Sequence, residues 1–326
     1  MRHIGLGTIA LSLLACGPHT TIHETSAGGG VAPIAAGADV AAPAREPDAP
    51  PPHAWLWRVS GGDAASYSYV LGTLHAGIPL ATALPDAYDG HLENARIVLI
   101  EVDFHELPQA LTALSQTHVR GARPLDRLLG RESWARLQAE TSGQLTPELL
   151  RATSPSAMTI YLQQVRIAEI EASVEGREPI AGVPSSAALD ASILDVATRH
   201  GATVIQLETP AEGLNALAAL PAADVLAALH REIDQPDDAR QQAAAMRDAY
   251  LHFDEAALDH AIAAAWTPEQ RQIVIAQRNQ AWAAALAAQV HEGDAFIAIG
   301  VDHLVGDGNV LDGLRAAGYT VERLGS

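Results

Sequence analysis

Four short apolar runs, "YVLGTLH" from Tyr69, "RIVLIEVD" from Arg96, "ATVIQLE" from Ala202 and "AFIAIGVDH" from Ala295, are separated by long stretches with helical spacing, and each run leads into a histidine or an acidic residue. An unbroken apolar run of this length, without in-and-out alternation, marks a strand covered on both faces. Such strands alternating with helices dictate an α/β fold: a mixed, partly parallel central sheet flanked by helices. In open sheets of this kind ligands bind beyond the carboxyl ends of the strands. If the four strands are parallel neighbours, His75, Glu101, Glu208 and His303 converge on one crevice from distant parts of the chain.

The intervening sequence fits that frame. "AWLWRVS" and "YSYVLGTLH", separated by the turn-forming "GGDAA", are expected to pair as a hairpin. A helix is expected to begin near Pro85, and residues 107–177 read as helical with breaks at Pro124, Gly143, Pro147 and Pro155. Ser185 and Ser186 suit a helix start, running to about His200, with Gly201 as its left-handed cap. A large alanine-rich helical insertion is expected from about Ala211 to Val290. "NVLDGLRAAG" then reads as a helix closed by Gly318 and "YTVERL" as the last strand. Residues 53–326 are expected to form a single domain.

The first 52 residues are different in kind. An apolar run from about Ile4 to Leu14 is too short to span a bilayer but suits a signal peptide, and it leads into Leu13-Leu14-Ala15-Cys16, the only cysteine of the chain. Residues 1–16 therefore read as a lipoprotein signal peptide with a lipobox, cleavage leaving Cys16 to be lipidated. Residues 17–52, dominated by Ala, Gly and Pro, read as a disordered tether. The expected location is the cell envelope, lipid-anchored in a membrane. Gly17 after the cysteine, in place of Asp, favours the outer membrane, facing the periplasm. With Cys16 spent on the anchor, no disulfide, cysteine nucleophile or thiolate ligand remains.

Charge removes further classes. The chain carries 39 acidic and 20 basic residues, a formal net charge of -19, so no nucleic-acid partner is expected. Every basic residue is arginine; Schiff-base chemistry and a lysine-dependent phosphate loop are excluded. Other motifs are broken. "HELPQ" from His105 has Pro108 inside the helix and Gln109 where a second zinc histidine belongs, and "GDGNVLDG" from Gly306 has Leu311 where a third glycine would fall. There is no G-x-S-x-G.

What remains is the set of strand-end residues. Two histidines with one or two carboxylates suit a divalent metal ion, Mn, Co, Fe or Zn, and such an ion makes bound water a hydrolytic nucleophile. Gly72 and Gly300 each precede a histidine by three positions, where a missing side chain lets a ligand, metal or neighbouring backbone approach. The bland alternative is that both histidines satisfy hydrogen bonds at the sheet edge.

"LWRVS" followed by "YVLGTLHAG", Leu84-Pro85, "IVLIEVD", "GATVIQLET", the pair Arg278-Asn279 and "AFIAIGVDHLVGDGNVLDGLRAAGYTVERL" together resemble the TraB/GumN family, which also takes in pheromone-shutdown proteins and TIKI proteases. The resemblance spans about Trp55 to Leu324. It implies a fold similar to the erythromycin-esterase and ChaN-like group, and a site built on Gly72 to His75, Gly300 to His303 and Glu101. It also implies a metal-dependent, peptidase-like hydrolase acting on a peptide or protein. In that reading His75, His303, Glu101 and Glu208 are candidate metal ligands. Glu101 is either a ligand or the general base, and Arg278 pairs with a carboxylate of the site or of the substrate. The competing expectation is a non-catalytic envelope lipoprotein that holds a peptide, haem or metal in the same pocket. Asp302 departs from the family pattern. If the strand continues through it, Asp302 faces away from His303; if the chain bends there, the two share a side.

Overall fold

A computed structural model describes residues 53–62, 66–74, 77–103, 123–176, 178–179 and 189–325. Cys16, His75, the "HELPQ" segment, Ser185 and Ser186 lie outside them. Six strands, β1 (Leu56–Ser60), β2 (Ser68–Thr73), β3 (Ile97–Ile100), β4 (Thr203–Gln206), β5 (Ala295–Gly300) and β6 (Thr320–Leu324), form one sheet in the order β4-β3-β5-β2-β1-β6. β4, β3, β5 and β2 are mutually parallel, and only β1 runs against its neighbours. The expected mixed, partly parallel α/β sheet is therefore what the chain forms, including the β1–β2 hairpin.

The apolar runs account for the order. β3 and β5 are buried along their whole length and lie inside the sheet, with β2 on the other side of β5. β4, read from its sequence as a buried strand, is an edge strand: Thr203 is exposed and Val204, Ile205 and Gln206 are half-buried. It has a neighbour on one side only, so the apolar run alone overstated its cover. The core around the sheet joins Leu71, Leu99, Phe296, Ile297 and Ile299 to Ile193 of the helix Leu189–His200 and to Trp282 and Leu286 of the helix Gln277–Glu292. Each such side chain stabilises the fold by about 1.5–3 kcal/mol relative to exposure.

The region 211–290 is not one insertion. Tyr250, Leu258 and Ile262 belong to the core of the sheet, whereas Leu229 and Ile233 pack with Leu125, Leu137, Leu150, Met158 and Leu162. The helices of 125–174 and of 222–234 thus complete one another in a second apolar cluster. The helix expected near Pro85 begins later, at Asp89, because Pro85 opens a turn closed by Tyr88 N–H on the Pro85 carbonyl at 2.7 Å.

The two glycine motifs meet across the sheet. Gly72 of β2 pairs in register with Ile299 of β5, and a Cβ on Gly72 would stand 2.9 Å from Val301 Cγ2 and 3.2 Å from Leu304 Cδ1. The glycine of the first motif therefore makes room for buried apolar side chains of the second. Gly72→Ala is expected to cost about 1–3 kcal/mol through overpacking, measured as a lower midpoint of denaturant unfolding.

A polar site at the carboxyl ends of the parallel strands

Each candidate side chain among the described residues is delivered by a distinct local device. β3 ends at Ile100 and hands Glu101 to the sheet edge. β4 stays in step with it past its own end, Leu207 N–H donating to the Ile100 carbonyl at 2.9 Å and Glu208 N–H to the Glu101 carbonyl at 3.1 Å. Immediately after Glu208 the chain enters the helix Pro210–Ala218, with Thr209 as N-cap, Pro210 in its first turn and Glu212 closing a reciprocal capping box. Gly213 of that helix leaves the space into which Glu208 Oε1 reaches; a Cβ there would lie 2.6 Å from it. Thr209→Ala is expected to cost about 1 kcal/mol and to loosen Glu208, read as a lowered thermal midpoint.

β5 stops at Gly300, and Val301–His303 forms one turn of 3-10 helix. The strand does not continue through the second motif. Asp302, half-exposed, therefore shares a side with His303, its Oδ1 4.0 Å from His303 Nε2. A Cβ on Gly300 would meet Asp302 Oδ1 at 2.6 Å and the buried Glu101 Oε2 at 3.2 Å. The bend thus needs a residue without a side chain.

Arg278 arrives from the helix Gln277–Glu292. The helix carrying it is preceded by a π-helical turn over Gln272–Ala276, in which Gln277 N–H reaches back to the Gln272 carbonyl. Arg278 Nη1 donates to the Val274 carbonyl at 3.0 Å. Its fork takes Glu208 in two-point fashion, Nε to Oε2 at 3.0 Å and Nη2 to Oε1 at 2.5 Å, while Nη2 also donates to Glu101 Oε1. Nη1 stands 3.1 Å from His303 Nε2. Glu101 Oε2 accepts the Gly300 N–H at 3.1 Å and lies 4.0 Å from His303 Nε2. Of the two choices left by the sequence, Arg278 pairs with carboxylates of the site, and with two of them.

These contacts fix the state of His303, which is almost wholly buried. A guanidinium can only donate, so Nε2 accepts and the ring proton sits on Nδ1. Nδ1–H donates to Asn279 Oδ1 at 2.5 Å, and Asn279 Nδ2 donates to the Gly308 carbonyl at 2.9 Å. The ring leans against Trp282, centroids 4.6 Å apart, and Arg278 covers the same indole at 4.9 Å. Burial pushes the Glu208 carboxyl up, against the pull of Arg278. Burial lowers the Arg278 guanidinium, but Glu101 and Glu208 outweigh it and hold the group above its usual range.

Glu101, Glu208, Arg278 and His303 thus stand together, and Asn279 joins them with a role the sequence left blank. The one signal for it is the adjacency Arg278-Asn279 with Trp282 one turn on. Among the described residues no group of three His, Cys, Asp or Glu is placed to hold a metal ion. Arg278 occupies the space between Glu101, Glu208 and His303. His303 and Glu101 nonetheless offer the right donor chemistry, a neutral imidazole nitrogen beside a carboxylate oxygen.

Two features elsewhere are less than they look. Ser133, His230 and Asp234 form a cluster, but Ser133 Oγ and Asp234 Oδ2 both lie on His230 Nδ1, at 3.2 and 2.9 Å. A relay needs them on opposite nitrogens. A cavity of about 230 Å³ lined by Tyr67, Tyr69 and His91 lies at the amino ends of the strands, away from Glu101 and Arg278. The polar convergence, rather than that cavity, identifies the candidate active site, because sheets of this type bind ligands at the carboxyl ends.

The family model described as TraB/PrgY/gumN family matches residues 55–323. The chain belongs to the TraB/PrgY/gumN family. Neither the curated proteins nor the solved structures contain a match. The span covered by the TraB/PrgY/gumN match takes in all six strands but for the last residue of β6, and every site residue named above.

Proposed function

We propose that this TraB/PrgY/gumN chain is a metal-dependent hydrolase of peptidase type, held at the cell envelope by a lipid on Cys16 and acting on a peptide or protein. One observation carries the reading: His303 Nε2, the ring nitrogen without a proton, lies 4.0 Å from a Glu101 oxygen, the donor pairing that first-row divalent ions take, and Arg278 Nη1, which donates to that nitrogen here, would give way to the ion. His303 and Glu101 would hold the ion, with His75, two residues beyond the end of β2 in sequence, as third ligand and Glu208 as a further candidate. An ion bound there supplies an acidified water and a polarised carbonyl.

The chain's own groups do the remaining work. Glu101 serves as ligand or takes the proton from the attacking water. Arg278 aims Glu101 and Glu208 into the crevice and opposes the rise that burial imposes on the Glu208 carboxyl. Asn279 holds the His303 ring in one tautomer. Trp282 covers one side of the ring and keeps water from it.

The second reading is a binding lipoprotein that holds a peptide, haem or metal without turnover. It is favoured by the contacts of Arg278, which already satisfy both carboxylates and His303. A peptide library incubated with the protein and read by mass spectrometry separates the two. Cleavage that a chelator stops supports the hydrolase; binding of peptides that stay intact supports the alternative. Among the described residues no single helix is long and apolar enough to cross a membrane. In this reading attachment rests on Cys16, and Cys16→Ser is expected to move the protein from the membrane to the soluble fraction.

A further inference from the structure

The cavity at the amino ends of the strands has a chemistry of its own. It opens between the start of β2, the helix Asp89–Glu93 and the entry to β5, and is lined by Ser66, Tyr67, Tyr69, His91, Asn94 and Asp294 among others. Its walls are aromatic. The rings of Tyr69 and His91 stack with centroids 3.8 Å apart and planes 13° from parallel. Tyr67 is 47% exposed, one of two large apolar side chains left open to water among the described residues. Its ring also carries Arg58 at 4.6 Å, a guanidinium paired with Glu322 at 2.7 Å.

Among the lining residues Asp294 brings a carboxylate and no lysine or arginine is present. Asp294 joins the helix Gln277–Glu292, closed at Gly293, to β5, and holds a backbone φ of 51°. An L-residue there carries strain that glycine avoids. Asp294 is exposed, so burial of its side chain does not offset the strain. The neighbouring turn and helix add Asp86, Asp89 and Glu93, and burial with the charges of Asp86 and Glu93 pushes the Asp89 carboxyl up. Burial and Arg58 push His91 down, which keeps the ring neutral and usable as an aromatic wall.

We propose that this cavity binds a small organic cation, an ammonium head on a short apolar body, against the exposed ring of Tyr67 and the Tyr69–His91 stack, with Asp294 as counter-charge. Aromatic faces with one carboxylate recognise such a head through the ring quadrupole and direct charge attraction. A volume of about 230 Å³ admits a head of choline size and little more. The cavity shares no residue with the Glu101, Glu208, Arg278 and His303 site, so it stands whether or not that site is hydrolytic.

The test is calorimetric titration of the full chain with choline and with its uncharged carbon isostere, in which tert-butyl replaces trimethylammonium. Choline is expected to bind about tenfold more tightly than the isostere. Tyr67→Ala and Asp294→Asn are each expected to remove that preference; asparagine tolerates the left-handed backbone, so the fold is kept. Asp294→Gly is expected to lose choline binding while raising the melting temperature. Equal binding of the two probes, no binding up to about 10 mM, or unchanged choline affinity in Asp294→Asn overturns the proposal.

Discussion

Arg278→Ala is expected to lower folding stability by about 3–5 kcal/mol at neutral pH, the cost of leaving buried charge without its partner. Glu101 and Glu208 are each about nine-tenths buried and share this one guanidinium. Without it, each carboxyl must ionise in a low-dielectric site beside another. Burial already pushes the Glu208 carboxyl up against the pull of Arg278; without that pull it rises further, so the added penalty is absent below about pH 4 and is complete above the folded pKa. Denaturant unfolding of wild type and variant at about pH 4 and pH 7 reads this directly: a gap wider at the higher pH supports the account, and an equal gap contradicts it. Arg278→Lys is expected to recover little, because an ammonium lacks the planar fork that bridges Glu208 at two points and still reaches Glu101.

Asn279→Leu is expected to lower metal affinity and turnover about 10–100-fold and stability by about 1–3 kcal/mol. The variant strands the Nδ1–H of a buried ring and frees the proton to move to Nε2, the nitrogen that faces the crevice. Asn279→Asp keeps the acceptor for Nδ1–H but not the donor to the Gly308 carbonyl, and is expected to restore the tautomer while leaving part of the stability loss. Nitrogen NMR of His303 checks the cause, since the tautomer shift appears in Asn279→Leu and not in Asn279→Asp. A role in packing alone would weaken both variants without changing the tautomer.

Much of the fold was legible because its strands are apolar runs bounded by turn-forming residues. β3 and β5 are buried throughout and lie inside the sheet, as "RIVLIEVD" and "AFIAIG" imply. The convergence of Glu101, Glu208 and His303 followed from parallel strands alone. Three things were not legible. "ATVIQLE" carries no mark that distinguishes an edge strand from a central one, since the difference lies in what sits beside it. The turn at Gly300 that brings Asp302 to the side of His303 depends on space at Glu101 Oε2, set by a strand two hundred residues away in sequence. The π-turn before Arg278 is a one-residue change in hydrogen-bond register within "RQIVIAQRN", and no residue type demands it.

The helical region shows the same limit at larger scale. Spacing identified helices on both sides of β4, but whether Leu229 packs on the sheet or on Leu162 is decided by tertiary contact. Asn279 likewise looks like any polar helix residue until His303, from another element, is placed against it.

In the proposed hydrolase, His75, His303 and Glu101 would hold a divalent ion beyond the carboxyl ends of the parallel strands. Elemental analysis of protein purified without a histidine tag tests it most directly. The account predicts about one ion per chain, lost in both His75→Ala and His303→Ala while each variant keeps a cooperative unfolding transition. Wild-type protein without stoichiometric metal, or either variant retaining it, would contradict the account.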